Sequence, residues 1–286
     1  MARDAAPGSH RDDLAAVLSD VTFDLMPSEE FDAALDPLPE GARVAVVLTP
    51  DLGMGPTVEK AERAIERGYE VVPHVAARFI ENRDELDAIA GRLEEAGVTD
   101  LFVPGGDRDD PVGEFASARE LLVALEELGY AFPEIGIGGY PTGHESIDDA
   151  TLASAMERKA PHATYVVTQL CFDADAILSW IREIRGRGID LPVEPGIPGV
   201  MDYRRLMTLS RRWGIADPLR FVRKTTGVFG FVREMIGSGG RYDPGDMVDT
   251  LARHHDDPEI DLHRLRLYTF NQTDDTESWR REHLGT

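Results

Sequence analysis

Lysine and cysteine are almost missing from this chain. Of its 286 residues only Lys60, Lys159 and Lys224 are lysines, which leaves 27 of the 30 basic residues as arginine. Against them stand 53 acidic residues, a formal net charge of −23. A surface so acidic excludes nucleic acid, because phosphate contacts need a basic footprint, and it repels anionic membrane surfaces. It reads as a solvated, salt-adapted surface of the kind a halophile's cytosolic protein carries; a high-GC source gives the same arginine bias. The single cysteine, Cys171, excludes an intrachain disulfide and any multi-cysteine zinc site. Following an apolar run, it reads as a packing residue. Long hydrophobic runs are also lacking: none approaches the roughly 18 residues of a membrane span. The opening MARDAAPGSHRDD has no signal-peptide apolar stretch and reads as a frayed tail, so the expected location is the cytoplasm.

What is present is a repeated arrangement. LFVPGGD (Leu101 to Asp107), EIGIGGYPTGH (Glu134 to His144) and TYVVTQLCFD (Thr164 to Asp173) each join a short apolar β-type run to Gly or Pro and then to polar residues. Helix-period segments separate them. The pattern extends both ways, with strands expected at Val21–Met26, Arg43–Leu48, Glu70–Pro73, Leu101–Val103, Glu134–Gly138, Thr164–Leu170, Leu191–Pro195 and Leu265–Phe270. RVAVVL at 43–48 is almost continuously apolar, as a strand covered on both faces should be. Helices are expected at Thr57–Arg67, Glu81–Glu95, Phe115–Leu128, Ile147–Lys159, Ala174–Arg187 and Tyr203–Trp213, with a short one after Ser28 as N-cap and two or three more within 217–256. Eight strands alternating with helices predict an α/β chain folded as a (β/α)8 TIM barrel, spanning residues 20–275 as one domain with extra helices before the last strand. Residues 1–19 read as a flexible tail and 276–286 as a C-terminal tail. A doubly wound sheet is the rival, but no Gly-rich fingerprint follows the first strand.

In a barrel the chemistry sits where the strands end. Those ends carry Asp24, Thr49, His74, Asp107, Tyr140 with His144, Gln169, Tyr203, and Tyr268 with Asn271. Aromatics stack, an amide orients and a carboxylate moves one proton, so the set suits a flat, polar organic molecule. Plain structural readings stand beside these: Asp24 as a helix cap, His74 as a satisfied core histidine, Asp107 as a turn residue, Tyr140 and Tyr203 as packing, Gln169 as a partner of strand-end backbone. Asp109, Asp110 and Asp148-Asp149 read as solvated aspartates rather than metal ligands, and His254-His255 as surface.

The strand-end motifs resemble those of the methylenetetrahydrofolate reductase family. Phe23-Asp24-Leu25-Met26-Pro27 is similar to its Phe-Glu-Phe-Phe-Pro-Pro, Pro73-His74 to its Pro-His-Leu-Thr, and Gly106-Asp107 to the end of its Arg-Gly-Asp. Tyr140-Pro141-Thr142-Gly143-His144 resembles Tyr-Pro-Glu-x-His, and Thr168 to Asp173 resembles Thr-Gln-x-x-Phe-Asp. Pro195-Gly196-Ile197, followed by Tyr203, and Leu267-Tyr268-Thr269-Phe270-Asn271 resemble the last two. Seven motifs stand in order from residue 23 to 271.

The resemblance implies a flavin-containing (β/α)8 barrel that passes a hydride from NADH or NADPH through FAD to 5,10-methylenetetrahydrofolate. It implies Asp24 as the general acid and Asp107 beside flavin and pterin, Gln169, Tyr203, Tyr268 and Asn271 on the substrate, and His74, Gly106, Tyr140, His144 and Arg158 around the cofactor. The expected partner is a small folate or a related pterin, with no nucleic acid, membrane or metal; a homo-oligomer stays open. The chain departs from the pattern at five places, the first being the second strand, where Val46-Val47-Leu48-Thr49 replaces Val-Thr-Tyr-Gly. Asp24 replaces Glu, Gly105 replaces the Arg of Arg-Gly-Asp, Glu157-Arg158 stands for an Arg-Lys pair, and Gln272 for an Arg. These departures keep open a flavin-free reductase of the same family, using nicotinamide or a deazaflavin directly, and a non-catalytic folate- or flavin-binding subunit.

Overall fold

A computed structural model describes residues 7–202 and 240–285. The chain alternates strand and helix: α1 (Pro7–Ser19), β1 (Val21–Leu25), α2 (Phe31–Leu35), β2 (Arg43–Val46), α3 (Met54–Glu66), β3 (Glu70–Pro73), α4 (Arg83–Glu95), β4 (Asp100–Phe102), α5 (Ala118–Leu128), β5 (Glu134–Gly139), α6 (Asp149–Lys159), β6 (Tyr165–Thr168) and α7 (Ala174–Gly186). Then come β7 (Val193–Glu194), β8 (Gly196–Pro198), β9 (Met201–Asp202), β10 (Arg241–Tyr242), α8 (Gly245–Ala252), β11 (Leu265–Tyr268) and α9 (Thr273–Leu284).

The strands form two parallel sheets, ordered β3-β2-β1-β11-β8 and β4-β5-β6-β7. Between them lies a single parallel bridge, His74 to Phe102, extended by Val75 N–H to the Phe102 carbonyl at 2.9 Å. At the other end one short segment serves both sheets. Val193 and Glu194 pair with β6, then Gly196 to Pro198 pair with β11. Among the described residues, β9 and β10 alone pair antiparallel.

Side chains alternate across each strand, so successive residues enter different layers. Val44, Val46, Val71 and Val166 join the large apolar cluster under the helices, while Ala45, Val72, Phe102, Tyr165 and Val167 form a small cluster on the opposite, inner face. Burial on both faces accounts for the near-continuous apolar runs. The inner face is also where charge is enclosed: Asp24, Asp100, Glu194 and Arg266 are all buried.

Side chains placed by sequence start the helices. Asn82, Ser117, Asp148 and Asp173 accept the N–H of Glu85, Glu120, Thr151 and Ala176. Asp148 is thus the cap of α6.

Several boundaries differ from the sequence reading. Ser28 is not the N-cap of α2, which starts after Glu30; the Ser28 hydroxyl accepts the Glu30 N–H instead. The seventh strand is split at Pro195, which has no N–H to give a ladder. Pro7–Ser19, expected as part of a frayed tail, is helical and packs on α8 and α9, and the C-terminal run holds α9 with Trp279 buried. These segments carry too few apolar residues for their helical period to stand out. The expected helix Tyr203–Trp213 and residues 217–239 lie outside the described residues.

Asp173 belongs to a motif yet acts here as a cap. Asp173→Ala is expected to lower unfolding free energy by about 1 kcal/mol, read as a lower urea midpoint at unchanged slope. An unchanged midpoint contradicts the cap assignment.

Candidate functional site

The C-terminal ends of β2 to β6 and of β11 surround a cavity of about 290 Å3. Each strand brings its own group. His74 follows β3, Gly106 and Asp107 follow β4, Gly138 to Tyr140 and then His144 leave β5, Thr168 and Gln169 leave β6, and Tyr268 ends β11. Six residues of the strand-end reading therefore meet in one place, His74, Asp107, Tyr140, His144, Gln169 and Tyr268, and Gly106, expected from the resemblance, joins them.

The groups are fixed in different ways. Gln169 donates its amide N–H to Thr142 Oγ1 (2.6 Å) and to the Gly143 carbonyl (3.1 Å). That carbonyl can only accept, so the amide orientation is set, and the Gln169 carbonyl oxygen is left as an acceptor for a ligand N–H. Tyr268 donates to the Thr168 carbonyl at 3.2 Å. Tyr140 and His144 meet edge to face at 5.4 Å, and burial, then Asp107, pushes the Tyr140 hydroxyl up. Gly106 has φ +98, and a Cβ there would come within 3.1 Å of the Phe79 ring, so glycine allows the close turn after β4.

Three expected residues lie elsewhere. Asn271 accepts the Met26 N–H (2.8 Å) and donates to the Met26 carbonyl (3.1 Å), tying the exits of β1 and β11 together outside the cavity lining. Arg158 is exposed on α6, donating to Ser154 Oγ at 2.5 Å. Asp24 is 3 % exposed and does not line the cavity. Tyr203 is outside the described residues.

Asp24 sits on the inner face in register with Tyr268, its Oδ1 3.5 Å from Arg266 Nη1. That is a charge contact without hydrogen-bond alignment, and neither carboxyl oxygen has a hydrogen-bond partner among the described residues. Burial pushes Asp24 up to about 7, outweighing Arg266, which pulls it down; Glu194 adds to the rise. Burial, then Arg266, holds His74 well below the usual imidazole range, so it is neutral.

Sequence reasoning missed Arg266 and Glu194. Arg266 and Glu194 are both 0 % exposed, with Arg266 Nε 3.2 Å from Glu194 Oε1. The signal was available: in LRLYTF, Arg266 shares the parity of Tyr268, which puts a charge on the inward side of a covered strand. Lys159, at the end of α6, donates to the Gly138 carbonyl at 2.5 Å, and burial lowers it to about 8. Burial raises the Cys171 thiol to about 11, in keeping with inert packing. No cluster able to hold a metal ion occurs among the described residues, and no described helix is long and apolar enough to cross a membrane.

The folded state holds a proton on Asp24 that the unfolded chain, at 3.8, releases. Stability from this group is therefore full below about pH 4 and falls as pH rises to about 7. Relative to wild type, Asp24→Asn is expected to gain stability progressively from pH 4 to 7 and no further above it, in urea titrations at a series of pH values. A difference independent of pH contradicts the buried, protonated carboxyl.

The methylenetetrahydrofolate reductase family profile matches residues 57–229. The chain is 25% identical over 212 residues to 5,10-methylenetetrahydrofolate reductase of Pectobacterium carotovorum, covering 72% of this chain and 67% of that protein. It is 26% identical over 145 residues to methylenetetrahydrofolate reductase 1 of Schizosaccharomyces pombe, covering 48% of this chain and 24% of that one. With the probable methylenetetrahydrofolate reductase (NADPH) of Caenorhabditis elegans it shares 30% over 111 residues, 38% of this chain and 17% of the other. The matched stretch thus spans a quarter or less of the yeast and nematode relatives.

Proposed function

Since the chain belongs to the methylenetetrahydrofolate reductase family, we propose that it reduces the methylene carbon of a 5,10-methylene reduced pterin to a methyl group, with NADH or NADPH as hydride source. The observation that supports this reading is a strand-end cavity walled by aromatic and amide groups, with Asp24, a buried carboxyl that has no hydrogen-bond partner among the described residues, in register with its Tyr268 wall. We read the two sheets as one closed (β/α)8 barrel, joined at the His74–Phe102 bridge and at the segment shared by β7 and β8.

FAD is the cofactor the resemblance implies. The cavity walls suit a ring, with Tyr140, Phe102 and His74 as flat surfaces and Gln169 as a polar edge. A pyrophosphate needs cations or clustered backbone N–H groups, and the lining holds no lysine or arginine among the described residues. The side chains where such cations were expected are engaged elsewhere: Glu157 lies 3.7 Å from Arg187, Arg158 turns to Ser154 and Lys159 to Gly138. The described residues therefore do not fit a tightly retained FAD. A dissociable nicotinamide asks less, since only its ring must enter the cavity.

The chemistry then divides simply. Asp24, which does not line the cavity, gives its proton to N10 of the pterin side through one bridging water, the bond from N10 to the methylene carbon breaks, and the N5 iminium forms. The nicotinamide hydride adds to that carbon, leaving an N5-methyl product and oxidised nicotinamide. Asp24 regains its proton from solvent. Gln169 accepts an N–H from the ring and Tyr140 stacks on it. A carboxyl that still holds its proton near neutral pH is suited to the acid role.

In a nicotinamide-oxidation assay with methylenetetrahydrofolate at high salt, the protein is expected to turn over without added flavin. Asp24→Asn should lower kcat at least about 100-fold, the usual loss for a general acid, with KM little changed. Turnover only after FAD addition, with flavin bands that bleach on adding NADH or NADPH, favours the flavin route instead. Pterin binding without turnover under any condition favours a non-catalytic binding subunit.

A further inference from the structure

Arg266 is fully enclosed and its contacts are divided. Nε and Nη2 face the two oxygens of Glu194, at 3.2 and 3.5 Å. Nη1 is 3.2 Å from His74 Nε2 and 3.5 Å from Asp24 Oδ1. The guanidinium carbon lies 5.2 Å from the centre of the Phe102 ring, and that ring meets His74 at 4.6 Å. Arginine has only donors. His74 Nε2 must therefore present its lone pair to Arg266, and a second positive charge on the imidazole is opposed by the first. A neutral imidazole has one proton, which leaves it on Nδ1. Nδ1 has no partner among the described residues and is not among the enclosed polar atoms without one, and His74 lines the cavity.

We propose that Glu194 and Arg266 are a buried positioning pair for the cavity floor, fixing His74 as the Nδ1–H tautomer so that it offers a donor, never an acceptor, to the bound ring. The ligand must then present an acceptor there, such as a ring carbonyl, an imine nitrogen or the oxygen of a carboxamide. Together with the Gln169 carbonyl, which asks for an N–H, this gives the cavity a polarity: donor on the β3 side, acceptor on the β6 side. An amide-like edge with C=O next to N–H satisfies both. The inference rests on the reading above only for which heterocycle carries that edge.

Two histidine substitutions separate the roles. The amide of Asn stands near where Nδ1 was, and that of Gln near where Nε2 was. His74→Gln keeps an acceptor for Arg266 and loses the cavity donor; His74→Asn keeps a donor and leaves Arg266 Nη1 without its acceptor. His74→Gln should therefore be the more stable variant in urea and yet the weaker binder, with Kd at least about tenfold above that of His74→Asn, a typical loss for one hydrogen bond. The probes are NADH, NADPH and tetrahydrofolate, titrated by tryptophan fluorescence. Stability and affinity falling in the same order would show a merely structural histidine and overturn the proposal. Wild-type protein gives a second, mutation-free measurement: the imidazole 15N shifts of His74, assigned by their loss in His74→Asn. These should show the neutral Nδ1–H form from pH 5 to 8. In Glu194→Met with Arg266→Met, which removes both charges together, the Nε2–H form should appear. A wild-type Nε2–H or protonated ring overturns the inference, whether or not any probe binds. A confirmed tautomer in a protein that never reduces methylenetetrahydrofolate would instead sink the functional reading.

Discussion

The Glu194–Arg266 ion pair, closed off from solvent on the inner face, is the constraint around which the site is built. Removing two charges from water costs more than their attraction returns unless the remaining donors and acceptors are also used. Arg266 spreads its donors over Glu194 and His74 and has its guanidinium carbon 5.2 Å from the centre of the Phe102 ring. The same positive charge stands beside Asp24 without a formal hydrogen bond. One buried cation thus pairs with Glu194, adds to the burial that keeps His74 neutral and moderates the rise that burial imposes on Asp24. Guanidinium suits this better than ammonium, because its planar fork serves several partners from one fixed position.

Parallel register is what brings these groups together. Asp24 stands opposite Tyr268 across β1 and β11, and Arg266 opposite Gly196, two residues beyond Glu194. A shift of one residue would turn Arg266 toward the helices and an apolar neighbour inward. The glycine at 196 answers a local demand: a Cβ there would lie 2.4 Å from the Thr168 carbonyl and 2.6 Å from the Tyr268 ring. Between β7 and β8, Pro195 breaks the ladder and lets one short segment pair with both sheets.

The alternation of strands and helices was legible because period-2 and period-3.6 patterns are strong over RVAVVL and over α4 and α5. The strand ends were legible too, since Gly, Pro and polar residues mark each one, and six of the polar residues so marked share one cavity. Other features were hidden for physical reasons. α1 and α9 have weak apolar stripes and are held by packing that no local pattern announces. Asn271 looks like a ligand-facing amide but is consumed by the Met26 backbone, a contact 245 residues distant in sequence. Arg266 and Glu194 were passed over because charges in a strand suggest an exposed face, whereas here the two neutralise each other inside.

These pieces describe a family member with a strand-end cavity, a buried carboxyl at Asp24 and a buried Glu194–Arg266 pair on the inner face. The claim at its centre is that hydride passes straight from nicotinamide to the pterin methylene carbon in that cavity. The direct measurement is label transfer from nicotinamide deuterated at C4 on the reactive face, with mass analysis of the product. The account predicts one deuterium in each methyl group, with none lost to water. Loss of the label to solvent would show an exchangeable carrier between donor and pterin and contradict it.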